Sequence, residues 1–235
     1  MLLMRYRTLL LDLDHTLFDS DTCELQAFEE TLRAVGVEEP LQHHETYVGI
    51  NKPLWYSVER GEITPQDVRV TRFERLITEI GLDANPEQIA ESYETSLGAK
   101  GDLYPGARDV LEKLAPQATL ALVTNGLSGV QRARIERLDI GKYFDAIVIS
   151  AEIGASKPGA EIFDATFRAL GSPPKDTTLM VGDSLSSDIR GGANYGIATC
   201  WYNPKGKTAD PEVGIHHEIS RLDQLPAIAI RDSAS

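Results

Sequence analysis

The chain has 235 residues, 42% of them apolar and 25% charged, with a net charge of −13. Apolar runs such as Leu9 to Leu11 and Leu120 to Val123 fall far short of the roughly 20 residues that span a bilayer, and the excess of acid argues against gripping nucleic acid by its phosphates. Asp12 and Asp14 interrupt any leader-like apolar stretch near the N-terminus, so a cytoplasmic protein without membrane or nucleic-acid partners is expected. Cys23 and Cys200 form neither a metal spacing nor a disulfide framework.

In chain order, the first β-rich apolar run is Thr8–Leu13. Residues 18–102 follow with no convincing strand but with helical patterns at Glu24–Val35, Lys52–Arg60, Pro65–Glu79 and Pro86–Leu97. This segment holds 18 acids and 7 bases, whereas the remainder holds 18 acids and 16 bases. Length and charge together predict a helical insertion placed over the strand ends. Beyond it, Pro105 is expected to open a helix carrying Ala107, Val110, Leu111 and Leu114 on one face. Four further β-rich runs, Thr119–Thr124, Ala146–Ser150, Thr178–Asp183 and Ala198–Tyr202, enclose helical stretches at Leu127–Leu138, Ala160–Leu170 and Leu185–Tyr195, with Gly171 and Gly196 as stops. Continuous apolar runs suit strands covered on both faces, and strict alternation with helices suits a mainly parallel sheet. The expected fold is α/β: a three-layer Rossmann-like core from residues 1–17 and 103–235, with an all-helical cap from residues 18–102. The tail from Arg231 to Ser235 is expected to fray.

Several runs end in polar residues at their carboxyl side: Asp12-Leu13-Asp14-His15-Thr16, Thr124-Asn125-Gly126 and Gly182-Asp183-Ser184. Ligands of open α/β sheets bind at that edge. A carboxylate inside an apolar strand is costly unless paired or metal-bound, and Asp12, between Leu11 and Leu13, is such a case. Helix capping explains Asp14 or Thr16 but not Asp12. Oxygen ligands from several acids suit Mg2+. Thr124, Asn125 and Gly126 offer a hydroxyl and backbone N–H groups for an anion, and Lys157 could join them from the segment after the third of these runs.

Asp12-Leu13-Asp14-His15-Thr16-Leu17, Thr124-Asn125-Gly126, Lys157-Pro158 and Gly182-Asp183-Ser184-Leu185-Ser186-Ser187-Asp188 resemble the four ordered motifs of the haloacid dehalogenase-like hydrolase superfamily. The likeness is closer to its noncanonical pyrimidine 5'-nucleotidase branch, through Asn51-Lys52-Pro53-Leu54-Trp55, Gly61-Glu62-Ile63-Thr64, Thr71-Arg72-Phe73, Val123-Thr124-Asn125-Gly126 and Ala198-Thr199-Cys200-Trp201. The resemblance implies a Mg2+-dependent phosphomonoesterase acting on nucleoside 5'-monophosphates, pyrimidine ones preferred. It makes Asp12 the nucleophile and Asp14 the general acid and base. It places Mg2+ on Asp12, the Asp14 carbonyl and Asp183. Phosphate would bind Thr124, the Asn125 N–H and Lys157, with Asp188 orienting Lys157 or a metal-bound water.

Dehalogenases of the superfamily lack an acid at the second position of the first motif, so Asp14 points to phosphate esters. A sugar-phosphate or phosphoglycolate-type phosphatase is the competing enzyme, and a non-catalytic binding module on the same fold is the competing class. His43-His44 and His216-His217 are expected to be surface pairs, and His15 a turn residue. Trp55, Tyr56 and Phe73 are either packing residues of the cap or a platform for a base.

Overall fold

Leu9, Leu10 and Leu11 are each fully buried, although consecutive strand residues point to opposite faces. The computed structural model of the protein, which describes residues 3–210 and 213–231, gives the reason. The strands are β1 (Leu3–Met4), β2 (Thr8–Leu11), β3 (Thr119–Thr124), β4 (Ala146–Ile149), β5 (Thr178–Gly182), β6 (Ala198–Tyr202), β7 (His217–Ile219) and β8 (Ile230–Arg231). Six of them form one sheet in the order β4-β3-β2-β5-β6-β7, every pairing parallel, while β1 and β8 form a separate antiparallel pair. Thus β2 lies between β3 and β5, with Leu11 opposite both Leu122 and Val181.

Helices cover both faces. They are α1 (Ser20–Ala34), α2 (His44–Glu59), α3 (Pro65–Ile80), α4 (Pro86–Ala99), α5 (Ala107–Leu114), α6 (Ser128–Arg137), α7 (Ser150–Ile153), α8 (Ala160–Ala169), α9 (Arg190–Tyr195) and α10 (Leu225–Ala229). Leu9, Leu11, Leu120, Leu122, Leu179 and Val181 pack in one cluster with Val110, Leu111 and Leu114 of α5 and Leu225 of α10. Leu10, Ala121, Val123 and Met180 pack with Ile162, Phe163 and Phe167 of α8 on the other face. Each such fully buried side chain contributes about 1.5–3 kcal/mol, which is why the runs are continuously apolar. Among the described residues no helix is long and apolar enough to cross a membrane.

The expected α/β fold with its parallel sheet is what the chain adopts, with differences at the ends of elements. Strand β2 stops at Leu11 rather than Leu13, because the Leu13 carbonyl turns to accept from the Leu17 and Phe18 N–H groups, both at 2.9 Å. Neither Asp14 nor Thr16 caps the next helix: Asp19 does, accepting from the Thr22 N–H at 3.1 Å. The second helix of the insertion begins at His44 rather than Lys52, so Pro53 sits in its interior instead of near its start. Helix α3 follows the expected span closely, closed by the Thr64–Asp67 capping box and by Gly81 at φ 68°. Pro105 precedes α5 without opening it, since Gly106 in the left-handed region is the N-cap. Leu185–Ile189 is a π-helical turn ahead of α9 rather than part of one α-helix. The edge strand β7 has no counterpart in the sequence patterning. The expected fraying of the tail concerns residues 232–235 and Arg231, of which only the Arg231 backbone lies within the described residues.

Candidate active site

Three neighbouring strand ends meet at one edge of the sheet, as their parallel pairing requires. Asp12 is still pinned to β5, its N–H donating to the Val181 carbonyl at 3.0 Å. The turn then places His15 at φ 58°, and the Asp12 and Asp14 carboxyls reach different partners. Asp12 is 6% exposed and Lys157 1%. The Lys157 ammonium donates to Asp12 Oδ1 at 2.5 Å and to the Val123 carbonyl at 2.7 Å, and lies 2.7 Å from Asp188 Oδ1. Thr16 ties two motifs together: its hydroxyl donates to Asp12 Oδ2 at 3.2 Å and accepts the Asp183 N–H at 3.0 Å.

Lys157 is held from the side as well. Asn125 Nδ2 donates to the Lys157 carbonyl and Asn125 Oδ1 accepts the Lys157 N–H, both at 2.9 Å. The Asn125 side chain is therefore committed to positioning, which leaves its backbone for the ligand. Asp188 in turn accepts the Ser184 N–H at 3.0 Å. Gly182 is required here because a Cβ would collide with the Asp188 carboxyl. Thr124 is fully buried, and its hydroxyl accepts from Gln131 Nε2 at 2.9 Å.

The Asp14 carboxylate takes three donors: Ser20 Oγ at 2.6 Å, Gln131 Nε2 at 2.5 Å and Arg134 Nη1 at 2.7 Å. Gln131 and Arg134 were not singled out from the sequence. Their signal is spacing, for Leu127, Gln131, Arg134 and Leu138 fall on one helical face, and the two polar residues occupy buried positions of an apolar stripe.

Burial, reinforced by the charges of Asp188 and Asp183, pushes the Asp12 carboxyl well above the usual carboxylate range against the pull of Lys157. Burial and Asp188 push Asp183 up to about 6. Asp14 behaves oppositely: burial raises it, but Arg134, Ser20, His15 and Gln131 together hold it below its ordinary value. Asp12, Asp183 and Asp188 each bring one carboxylate oxygen within 4.8 Å of the others. Three crowded acids, two of them destabilised as anions, are a donor set that fits a hard divalent cation such as Mg2+. Asp188 thus stands with the carboxylates expected to hold a metal, while the Asp14 carboxyl is directed to its own three partners.

Asp12, Asp14, Asn125, Lys157, Asp183 and Asp188 all line one cavity of about 1180 Å³, and Thr124 does not. Its other wall comes from the insertion and includes Glu24, Asn51, Trp55, Tyr56 and Arg72. Trp55 lines the cavity while also packing beside Leu54, Val58 and Val68. Phe73 is fully buried and stacks on Tyr47 at 5.9 Å, so it is a packing residue. His217 Nε2 pairs with the Tyr6 hydroxyl at 2.8 Å, and no histidine joins a metal-like cluster among the described residues.

The pattern of the haloacid dehalogenase-like hydrolases matches residues 9–202. The chain is 37% identical over 202 residues to the pyrimidine 5'-nucleotidase PynA of Streptococcus pneumoniae, covering 86% of this chain and 85% of that protein. It is 32% identical over 225 residues to the pyrimidine 5'-nucleotidase YjjG of Escherichia coli, covering 93% and 98%. The crystal structure of the HAD-hydrolase YfnB of Bacillus subtilis, described as bound to magnesium, superposes with a TM-score of 0.89 at 34% identity, over 96% of this chain and 99% of that one. With its four motifs gathered at one sheet edge and a match across most of its length, the chain belongs to the haloacid dehalogenase-like hydrolases.

Proposed function

We propose that the protein is a phosphomonoesterase that works through an aspartyl-phosphate on Asp12 and acts on nucleoside 5'-monophosphates, pyrimidine ones first. The observation that carries this reading is the placement of Asp12. It is a buried carboxylate at a strand end, paired with Lys157, flanked by Asp183 and Asp188, and open to a cavity large enough for a nucleotide. The names of the two nucleotidase relatives support the substrate class. The 18–102 segment acts as the cap that selects the leaving group, and residues 1–17 and 103–235 as the catalytic core.

In the first step an Asp12 oxygen attacks phosphorus, the phosphorus–ester oxygen bond breaks, and Asp14 gives the leaving oxygen a proton. The phosphoryl dianion approaching Asp14 raises its proton affinity and so helps it to the acid form. In the second step Asp14, whose ground state here is the ionised base, takes a proton from water. The oxygen of that water attacks phosphorus, inorganic phosphate leaves, and the Asp12 carboxylate is restored. Lys157 and the Asn125 backbone N–H neutralise and orient the phosphoryl oxygens, while the cap excludes bulk water. Asp12, Asp183, Asp188 and the Asp14 carbonyl would hold Mg2+, which would supply charge neutralisation between the attacking carboxylate and the phosphate.

Phosphate release from a panel of nucleoside monophosphates, sugar phosphates and phosphoglycolate, with and without Mg2+, tests the proposal. Highest kcat/KM on a pyrimidine monophosphate is the expected result. A sugar phosphate ahead of every nucleotide would move the assignment to that class.

A further inference from the structure

Two side chains on the helical wall of the cavity are buried without the partners their chemistry requires. Arg72 of α3 is 3% exposed and Asn51 of α2 is 8% exposed. Nε and Nη2 of Arg72 and Oδ1 of Asn51 are enclosed and have no hydrogen-bond partner among the described residues. Orphaned buried polar atoms oppose folding, and a pair of them lining the same cavity as Asp12 and Lys157 points to a ligand rather than to stability.

The two residues are linked through Tyr47. Arg72 Nη1 donates to the Tyr47 hydroxyl at 3.4 Å, and Tyr47 and Asn51 lie one turn apart on α2, hence on one face. The guanidinium is held between aromatic faces, 4.7 Å from the Tyr93 ring centre and 5.2 Å from that of Phe73. Tyr47 donates onward to the Tyr93 hydroxyl at 3.0 Å. The unpartnered edge, Nε and Nη2, is the side of the fork that gives two parallel N–H donors.

Such an edge takes either an anion or two adjacent neutral acceptors. Glu24 lines the same cavity within electrostatic reach of Arg72, and the insertion as a whole carries a net charge of −11, so a second anionic group would be repelled. A neutral edge with two adjacent acceptors and a neighbouring donor for Asn51 Oδ1 fits instead. Cytosine presents that order in its O2, N3 and exocyclic amine, whereas the N3–H of uracil separates its two acceptors. We propose that Arg72 and Asn51 are the base-reading pair of the leaving-group site and favour cytosine. The proposal rests on the nucleotidase reading given above.

The test compares kcat/KM for CMP, UMP and a small aryl phosphate in the wild type, Arg72→Lys and Asn51→Leu. Expected are CMP ahead of UMP in the wild type, and a fall of about tenfold or more in the CMP-to-aryl-phosphate ratio in both variants. Calorimetry on Asp12→Asn protein gives a readout independent of turnover: adding Arg72→Lys should weaken CMP binding more than it weakens inorganic phosphate binding. Equal losses on CMP and the aryl ester, or no preference for CMP over UMP in the wild type, would overturn the pair's role while leaving the nucleotidase reading standing. Turnover of the aryl ester with no turnover of any nucleotide would overturn both.

Discussion

Arg134 Nη1 lies 2.7 Å from Asp14 Oδ1, and the same guanidinium donates from Nε to the Leu97 carbonyl at 3.0 Å. One buried cation therefore links the proposed acid and base to the last turn of α4. The Asp14 carboxyl is held below its ordinary value, so folding favours its charged form. That stabilisation is present above the unfolded-state value of about 3.9 and is lost as pH falls through the lower folded-state value. In EDTA, the difference in Tm between wild type and Asp14→Asn should hold steady at pH 5–6 and shrink as pH falls below 4. A difference that stays constant through that window would contradict the pairing.

Arg134 should also shape the rate profile. Removing its charge with Arg134→Gln leaves burial as the dominant influence on Asp14, and burial raises a carboxyl. The alkaline limb of the kcat profile, which reports loss of the acid form, should move to higher pH. An unchanged limb would show that another group supplies the proton.

Asp12→Asn keeps the shape of the side chain but removes the attacking charge, and Lys157 retains Asp188 as a partner. Activity should fall by several orders of magnitude, as it does when other covalent nucleophiles are removed, in a protein that still folds. One-tenth of the wild-type kcat would be enough to reject the assignment.

Metal removal should abolish turnover, because Asp12, Asp183 and Asp188 crowd charge that a hard cation relieves. Mg2+ or Mn2+ should restore it after EDTA. Ca2+ should not, being larger and taking additional ligands at looser geometry. Full activity after rigorous stripping would refute the metal site.

Trp55 borders the cavity from α2 while resting on Leu54, Val58 and Val68. Trp55→Ala should lower kcat/KM for nucleotides more than for a small aryl phosphate, since a lost base platform costs about 1–3 kcal/mol. Parallel losses on both substrates would make it a packing residue alone.

Much of this was legible in sequence because chemistry and pattern disagreed there. Asp12 stood out as a charge inside an apolar run, and Thr119–Thr124 and Ala198–Tyr202 read as strands because both of their faces are covered. Other features were hidden. Edge strand β7 pairs on one side only and carries His217 and Glu218, so no apolar run marks it. Pro53 disguised the length of α2, whose first two turns precede it. Gln131 and Arg134 share the buried helical face of Leu127 and Leu138, but their partner Asp14 lies over a hundred positions away, so spacing marks them as buried without naming what they hold. The Thr124 hydroxyl, expected at the phosphate, is enclosed and accepts from Gln131.

The cluster that holds Leu9 and Leu11 continues without a break through Leu17, Phe18 and Cys23 to Phe73, Tyr93 and Leu97 of the insertion. Shared apolar packing of this kind couples the melting of the two parts, so the insertion is expected to unfold cooperatively with the sheet. The two tryptophans make this measurable, since Trp55 sits in α2 and Trp201 in β6. In Trp55→Phe and Trp201→Phe proteins, each retaining one fluorophore, the denaturant midpoints for fluorescence and for circular dichroism should coincide. A destabilising change in either half then lowers the midpoint of both.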